Sequence, residues 1–98
     1  MIKIGDEMQA KEKLSYLIEE YLAGEYTTAA FCDEYTLVYD LELEKSRLKE
    51  CELAFFESIC KLAERFSPYQ EDIMNYDFFI SESTFREKFA KIIKEASG

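Results

Sequence analysis

The sequence predicts an all-α protein folded as an antiparallel four-helix bundle, on three observations. Four segments repeat apolar residues at the three- and four-residue spacing of a single helix face. No segment sustains the alternation of a half-buried strand. The chain holds one proline, Pro68, and three glycines, so helices have few breaks to respect. At 98 residues the chain is expected to be one domain, 1–98, with a single modest core.

The first helix is expected from about Asp6 to Ala23, with Leu14, Leu17, Ile18 and Tyr21 on one stripe. Gly24 suits the left-handed residue that closes a helix C-terminus, and Thr27 or Thr28 suits the cap of the next. The second helix follows from about Thr28 to Leu43. Its stripe of Phe31, Tyr35 and Val38 is widened by Ala30, Leu37 and Leu41, as in a helix covered by two neighbours. Glu42 to Arg47 is highly charged and reads as a turn, with Ser46 as a cap. A helix running through it would instead give a three-helix bundle.

The third helix is expected from about Lys49 to Phe66. Phe55, Ile59, Leu62 and Phe66 make a core-facing seam, and Glu50, Glu57 and Glu64 project opposite. Pro68 ends this helix, because the residue before a proline is pushed out of the α region. Tyr69 to Ile80 reads as a polar and aromatic connection holding at most one short helical turn. Its aromatics Tyr69, Tyr76, Phe78 and Phe79 fit interface anchors and an end cap on the bundle equally well. Ser81 or Ser83 caps the last helix, and Thr84 with Glu87 fits a capping box. Phe85, Phe89, Ile92, Ile93 and Ala96 form its stripe. The expected shared core is Phe55, Ile59, Leu62, Phe66, Phe89 and Ile92.

Composition narrows the function. The net charge is −9, from twelve basic and twenty-one acidic residues. Such a field repels nucleic acid and anionic lipid and speeds encounter with a basic partner. The chain has no histidine, so imidazole catalysis and Cys2His2 zinc sites are excluded. Gly5, Gly24 and Gly98 cannot form a phosphate loop. The reading is therefore a protein that is not an enzyme and needs no cofactor and no metal. Its lysines and arginines are interspersed with acids, so direct nucleic-acid binding is not expected. Cys32, Cys51 and Cys60 are odd in number and widely spaced, which reads as reduced thiols in a cytoplasmic protein. No apolar run is long enough to span a membrane, and the opening Met-Ile-Lys-Ile-Gly-Asp lacks the features of a signal peptide.

One stretch says more. Ala63-Glu64-Arg65-Phe66-Ser67-Pro68 ends a helix at a proline with carboxylates on both sides of the break. Before it stands Tyr21-Leu22-Ala23-Gly24-Glu25. After it come Asn75-Tyr76 and a final helix opening Ile80-Ser81-Glu82-Ser83. In this order and spacing the chain resembles the colicin D-type immunity proteins over nearly its whole length. The resemblance implies a four-helix bundle that binds the catalytic domain of a toxic, tRNA-cleaving nuclease, one to one, and blocks its basic active site. It carries Glu64 over first, as the glutamate of the motif. The pattern in colicin D's own partner has an acid directly after the proline; that position is Tyr69 here, with Glu71 and Asp72 further on, which points to a toxin other than colicin D.

The expected toxin-binding set is Glu64, Tyr69, Glu71, Asp72 and Glu57. Glu57 lies two turns before Glu64 on the same face. Two weaker readings stand beside this one. The acids serve a generic adaptor that binds some other basic protein, or Glu64 merely fixes the loop through Lys61 or Arg65.

Overall fold

The computed structural model describes residues 9–97. The expected start of the first helix at Asp6 lies outside them. The described chain is all-α: α1 (Ala10–Leu22), α2 (Thr28–Leu41), a 3₁₀ turn (Lys45–Arg47), α3 (Glu50–Arg65), the short α4 (Gln70–Asn75) and α5 (Glu82–Ser97). Helix α1 packs on α2, α2 on α3, and α3 on α5. Among the described residues no helix is long and apolar enough to cross a membrane.

Local chemistry sets the boundaries. Gly24 takes φ +86°, which only glycine adopts freely. The Glu25 N–H then reaches back to the Glu20 carbonyl at 2.9 Å, closing α1 with a Schellman-type bond. Thr27 caps α2 by accepting the Ala30 N–H at 3.1 Å. Helices α2 and α3 are separate, which removes the fused alternative. The α3 boundary is set at Lys49, whose N–H donates to the Glu52 carboxylate at 3.1 Å, and Ser46 lies within the 3₁₀ turn instead of capping. Ser81 caps α5 through the Thr84 N–H, which displaces the expected Thr84–Glu87 box.

The core is aromatic where α1, α2 and α5 meet. Tyr21 stacks on Phe31 at 4.6 Å between ring centroids, and Phe89 meets Phe31 edge-on at 5.5 Å. Burying an aromatic ring of this size contributes about 1.5–3 kcal/mol, and edge-to-face pairing adds about 0.5–1.5 kcal/mol. A polar relay crosses the same junction. The Tyr21 hydroxyl meets the Thr28 hydroxyl at 2.8 Å, and Thr28 donates to the Glu82 carboxylate at 3.0 Å. Arg86 donates to Glu82 as well, and these two donors, Arg86 foremost, hold the Glu82 carboxyl below the usual range. Between α2 and α3, the buried Tyr35 hydroxyl donates to the Phe56 carbonyl at 2.9 Å.

The expected core needs correction at several positions. Phe55 and Phe66 are only half-buried, while Phe56, Cys60 and Ala63 join Ile59 and Leu62 inside. The reason is that α3 has two neighbours. One side meets Tyr35 of α2 and the other meets α5, so the buried arc is wider than, and rotated from, the seam read along one row. Ile92 is likewise half-buried. Leu37 and Leu41 are exposed, Leu41 by 77%. No described helix covers that side of α2, so its arc is narrower than the sequence suggested. Ala96 is also exposed.

The connection after Pro68 holds more order than the sequence promised. Beyond α4 the chain returns to α3: the Ile80 N–H donates to the Arg65 carbonyl at 2.8 Å, and the Ser67 N–H donates to the Ile80 carbonyl at 3.2 Å. This isolated parallel bridge pairs Phe66 with Ile80 and closes the segment between them into a loop.

Candidate functional site

Helix α2 lies beside the last turns of α3, and a cleft of about 500 Å³ opens between them. Its walls carry Asp33 and Asp40 from α2 and Glu64 from α3. Pro68 and Tyr69 form its rim, and Cys32, Ala63 and Phe66 line its apolar part. Asp33 and Asp40 stand seven residues apart, as do Glu57 and Glu64, so each helix presents its acids along one face.

The electrostatics of the cleft follow from this crowding. The buried Cys60 thiol is pushed up to about 12, first by burial and then by Glu64, Asp40 and Glu57. Tyr39 is raised by burial and by the same carboxylates. Cys32 is also pushed up to about 12, by burial and by Asp33. Burial is the first cause of each shift, and the carboxylates of α2 and α3 add to it in the same direction. Lys45 sits 4.6 Å above the Tyr39 ring.

The expected binding set divides. Glu64 and Tyr69 come together at the cleft, and Tyr69 is 68% exposed. Among the described residues Glu64 has no ion-pair partner. Lys61 instead approaches Glu57 at 4.0 Å, and Arg65 donates to the Phe78 carbonyl at 2.8 Å. The reading of Glu64 as a loop-fixing salt bridge therefore loses both its partners. Glu57 is exposed on the same face but does not line the cleft.

Glu71 is exposed in the first turn of α4, also outside the cleft lining. Asp72 is held within the fold. It accepts the Ser67 hydroxyl at 2.7 Å, and that hydroxyl accepts the Tyr69 N–H at 3.2 Å. Asp72 thereby pins the turn after Pro68. The residues missed from the sequence are Asp33 and Asp40. Their seven-residue spacing was visible, but only the packing of α2 on α3 sets them opposite Glu64.

Beyond Tyr69 the connection also exposes Met74, Tyr76 and Phe78, none of which lines the cleft. The Arg65 guanidinium lies 5.6 Å from the Phe78 ring centre. The aromatics of this segment therefore split: three face solvent, and Phe79 is half-buried, meeting Phe78 edge-on at 5.3 Å. Among the described residues no group of acids and thiols is arranged to hold a metal ion.

No family model, no curated protein and no solved structure matches this chain. Function is therefore inferred from the geometry of the site.

Proposed function

We propose that this protein is an immunity-type inhibitor that binds the basic catalytic domain of a toxin nuclease, one to one, and fills its RNA-binding cleft. The observation that carries the reading is the acidic cleft between α2 and α3, with Asp33, Asp40 and Glu64 on its walls and exposed Tyr69 on its rim. A nuclease that grips RNA phosphates with lysine and arginine offers donors for these carboxylates, in charge-assisted hydrogen bonds. The net charge of −9 speeds the encounter. Exposed Tyr69 on the rim supplies an anchor of the kind that dominates interface energies. The reading extends to the fold and the compartment: α1, α2, α3 and α5 form an antiparallel four-helix bundle, and the protein acts in the cytoplasm on a tRNA-cleaving toxin.

The test is co-expression with the product of the adjacent gene, which this reading requires to be a small basic nuclease. The triple variant Asp33→Lys, Asp40→Lys, Glu64→Lys is expected to abolish protection while helical content is kept. Removing a carboxylate that faces a buried toxin cation costs roughly 2–5 kcal/mol in the complex, much of it because the cation is left unpaired. Glu71→Lys, outside the cleft, is expected to protect nearly as well as the wild type. Full protection by the triple variant would refute the cleft as the docking surface. If the protein recovers a basic partner that is not a nuclease, the adaptor reading replaces immunity.

A further inference from the structure

On the other side of α3 lies a groove that is basic at one end and carries Glu52 and Glu95 toward the other. Two adjoining hollows of about 370 and 600 Å³ share Ser58, Ile92 and Glu95, so they form one groove between α3 and α5. The groove follows α3 from Cys51 to Arg65. At a rise of about 1.5 Å per residue that is roughly 20 Å, or about four helical turns. One half is lined by Lys61, Arg65, Lys88 and Lys91. In a chain with twelve basic residues and a net charge of −9, four cations in one hollow is a marked segregation. Among the described residues neither Lys88 nor Lys91 has an acid within ion-pair distance.

The floor is apolar and incompletely covered. Phe55 and Ile92 are half-buried and Ala96 is exposed, although all three lie on the apolar stripes of their helices. The pattern of the sequence thus asks for one more layer over this face than the described helices provide.

We propose that the α3–α5 groove docks an amphipathic helix of another protein, one whose apolar stripe ends in acidic residues. The apolar floor takes the stripe, and Lys88 and Lys91 pair with the acids and set the direction of docking. Charge decides among occupants. A second copy presenting the same face would set lysine against lysine. A nucleic acid strand would meet an apolar floor and the field of the whole chain. That field also slows a distant acidic partner, so the floor supplies most of the affinity and the cations supply register and choice.

Three fluorescent probes test this on the full chain by anisotropy. The first is a helical peptide of about fifteen residues, with a leucine stripe and glutamates at one end. The second has lysines in their place, and the third is a single-stranded RNA oligonucleotide. The wild type is expected to bind the glutamate peptide about tenfold more tightly than the lysine peptide. Lys88→Glu with Lys91→Glu is expected to reverse that preference. Ala54→Arg with Ala96→Arg, both at exposed positions of the groove, is expected to block both peptides without loss of helical content. Equal binding of the two peptides, undiminished binding after the arginine substitutions, or no binding of either would each overturn the proposal. So would tighter binding of the RNA, or sedimentation showing the groove variants to abolish a dimer of this chain.

Discussion

The exchange of Phe55 for Phe56 in the core makes a sharp test of the packing. The two residues are neighbours in sequence and their rings lie 5.4 Å apart, yet Phe56 is 4% exposed and Phe55 is only half-buried. Phe56→Ala removes a ring that is enclosed between α2 and α3, beneath the Tyr35 hydrogen bond. The lost transfer energy and the cavity left behind together destabilise by about 3–5 kcal/mol. Phe55→Ala removes a ring already in partial contact with water, and solvent refills the space at the edge of the groove. Its expected loss is about 1–2 kcal/mol, the transfer part alone. For a domain of this size each kcal/mol lowers the melting temperature by about 4–8 °C. Phe56→Ala should therefore melt at least about 12 °C below the wild type, with Phe55→Ala much closer to it. Urea titrations followed by circular dichroism measure both. A loss from Phe55→Ala equal to or above that from Phe56→Ala would restore the single-row seam and refute the two-neighbour account of α3.

Three further outcomes follow from the buried polar groups and the thiols. Thr28→Val keeps the side-chain shape but breaks the relay from Tyr21 to Glu82; it should cost about 1–3 kcal/mol in urea unfolding, because the buried Tyr21 hydroxyl loses its partner, and an unchanged midpoint would show the relay to be dispensable. Cys32 and Cys60, both raised to about 12 from 9.0, favour the neutral thiol in the folded state. Their contribution to stability is complete below pH 9.0 and falls as the pH rises from there toward about 12. At mildly alkaline pH a disulfide reagent should modify Cys51 quickly and the other two only on unfolding; three equally fast thiols would contradict the burial.

Helix existence was legible in the sequence because the relevant signals are local. Gly24 and Pro68 mark their boundaries by backbone conformation and Thr27 by its side-chain cap, and the charged turn separates α2 from α3 as expected. The faces of the helices were harder to read. Periodicity gives the direction of an apolar stripe but not the number of neighbours, so Phe56 and Cys60 were passed over and Leu41 was included. The site was legible in part for the same reason. Glu64 and Tyr69 flank a visible break and do meet. Asp33 and Asp40 enter only through the packing of α2 on α3, a long-range fact. Asp72 looked free because its partner, Ser67, is an ordinary polar residue whose burial the sequence does not announce.

The bridge between Phe66 and Ile80 constrains the exposed aromatic segment between them. A loop tied at both ends explores fewer conformations than a free one of equal length. The ends of the segment that exposes Tyr69, Met74, Tyr76 and Phe78 are joined backbone to backbone, and Asp72 pins its first turn. Much of the disorder that a partner would otherwise have to remove is thus already gone when the chain folds. Surface loops of this composition ordinarily lose affinity to ordering; here the aromatic rings are held on a frame, and what remains to be fixed on contact is their side-chain rotation.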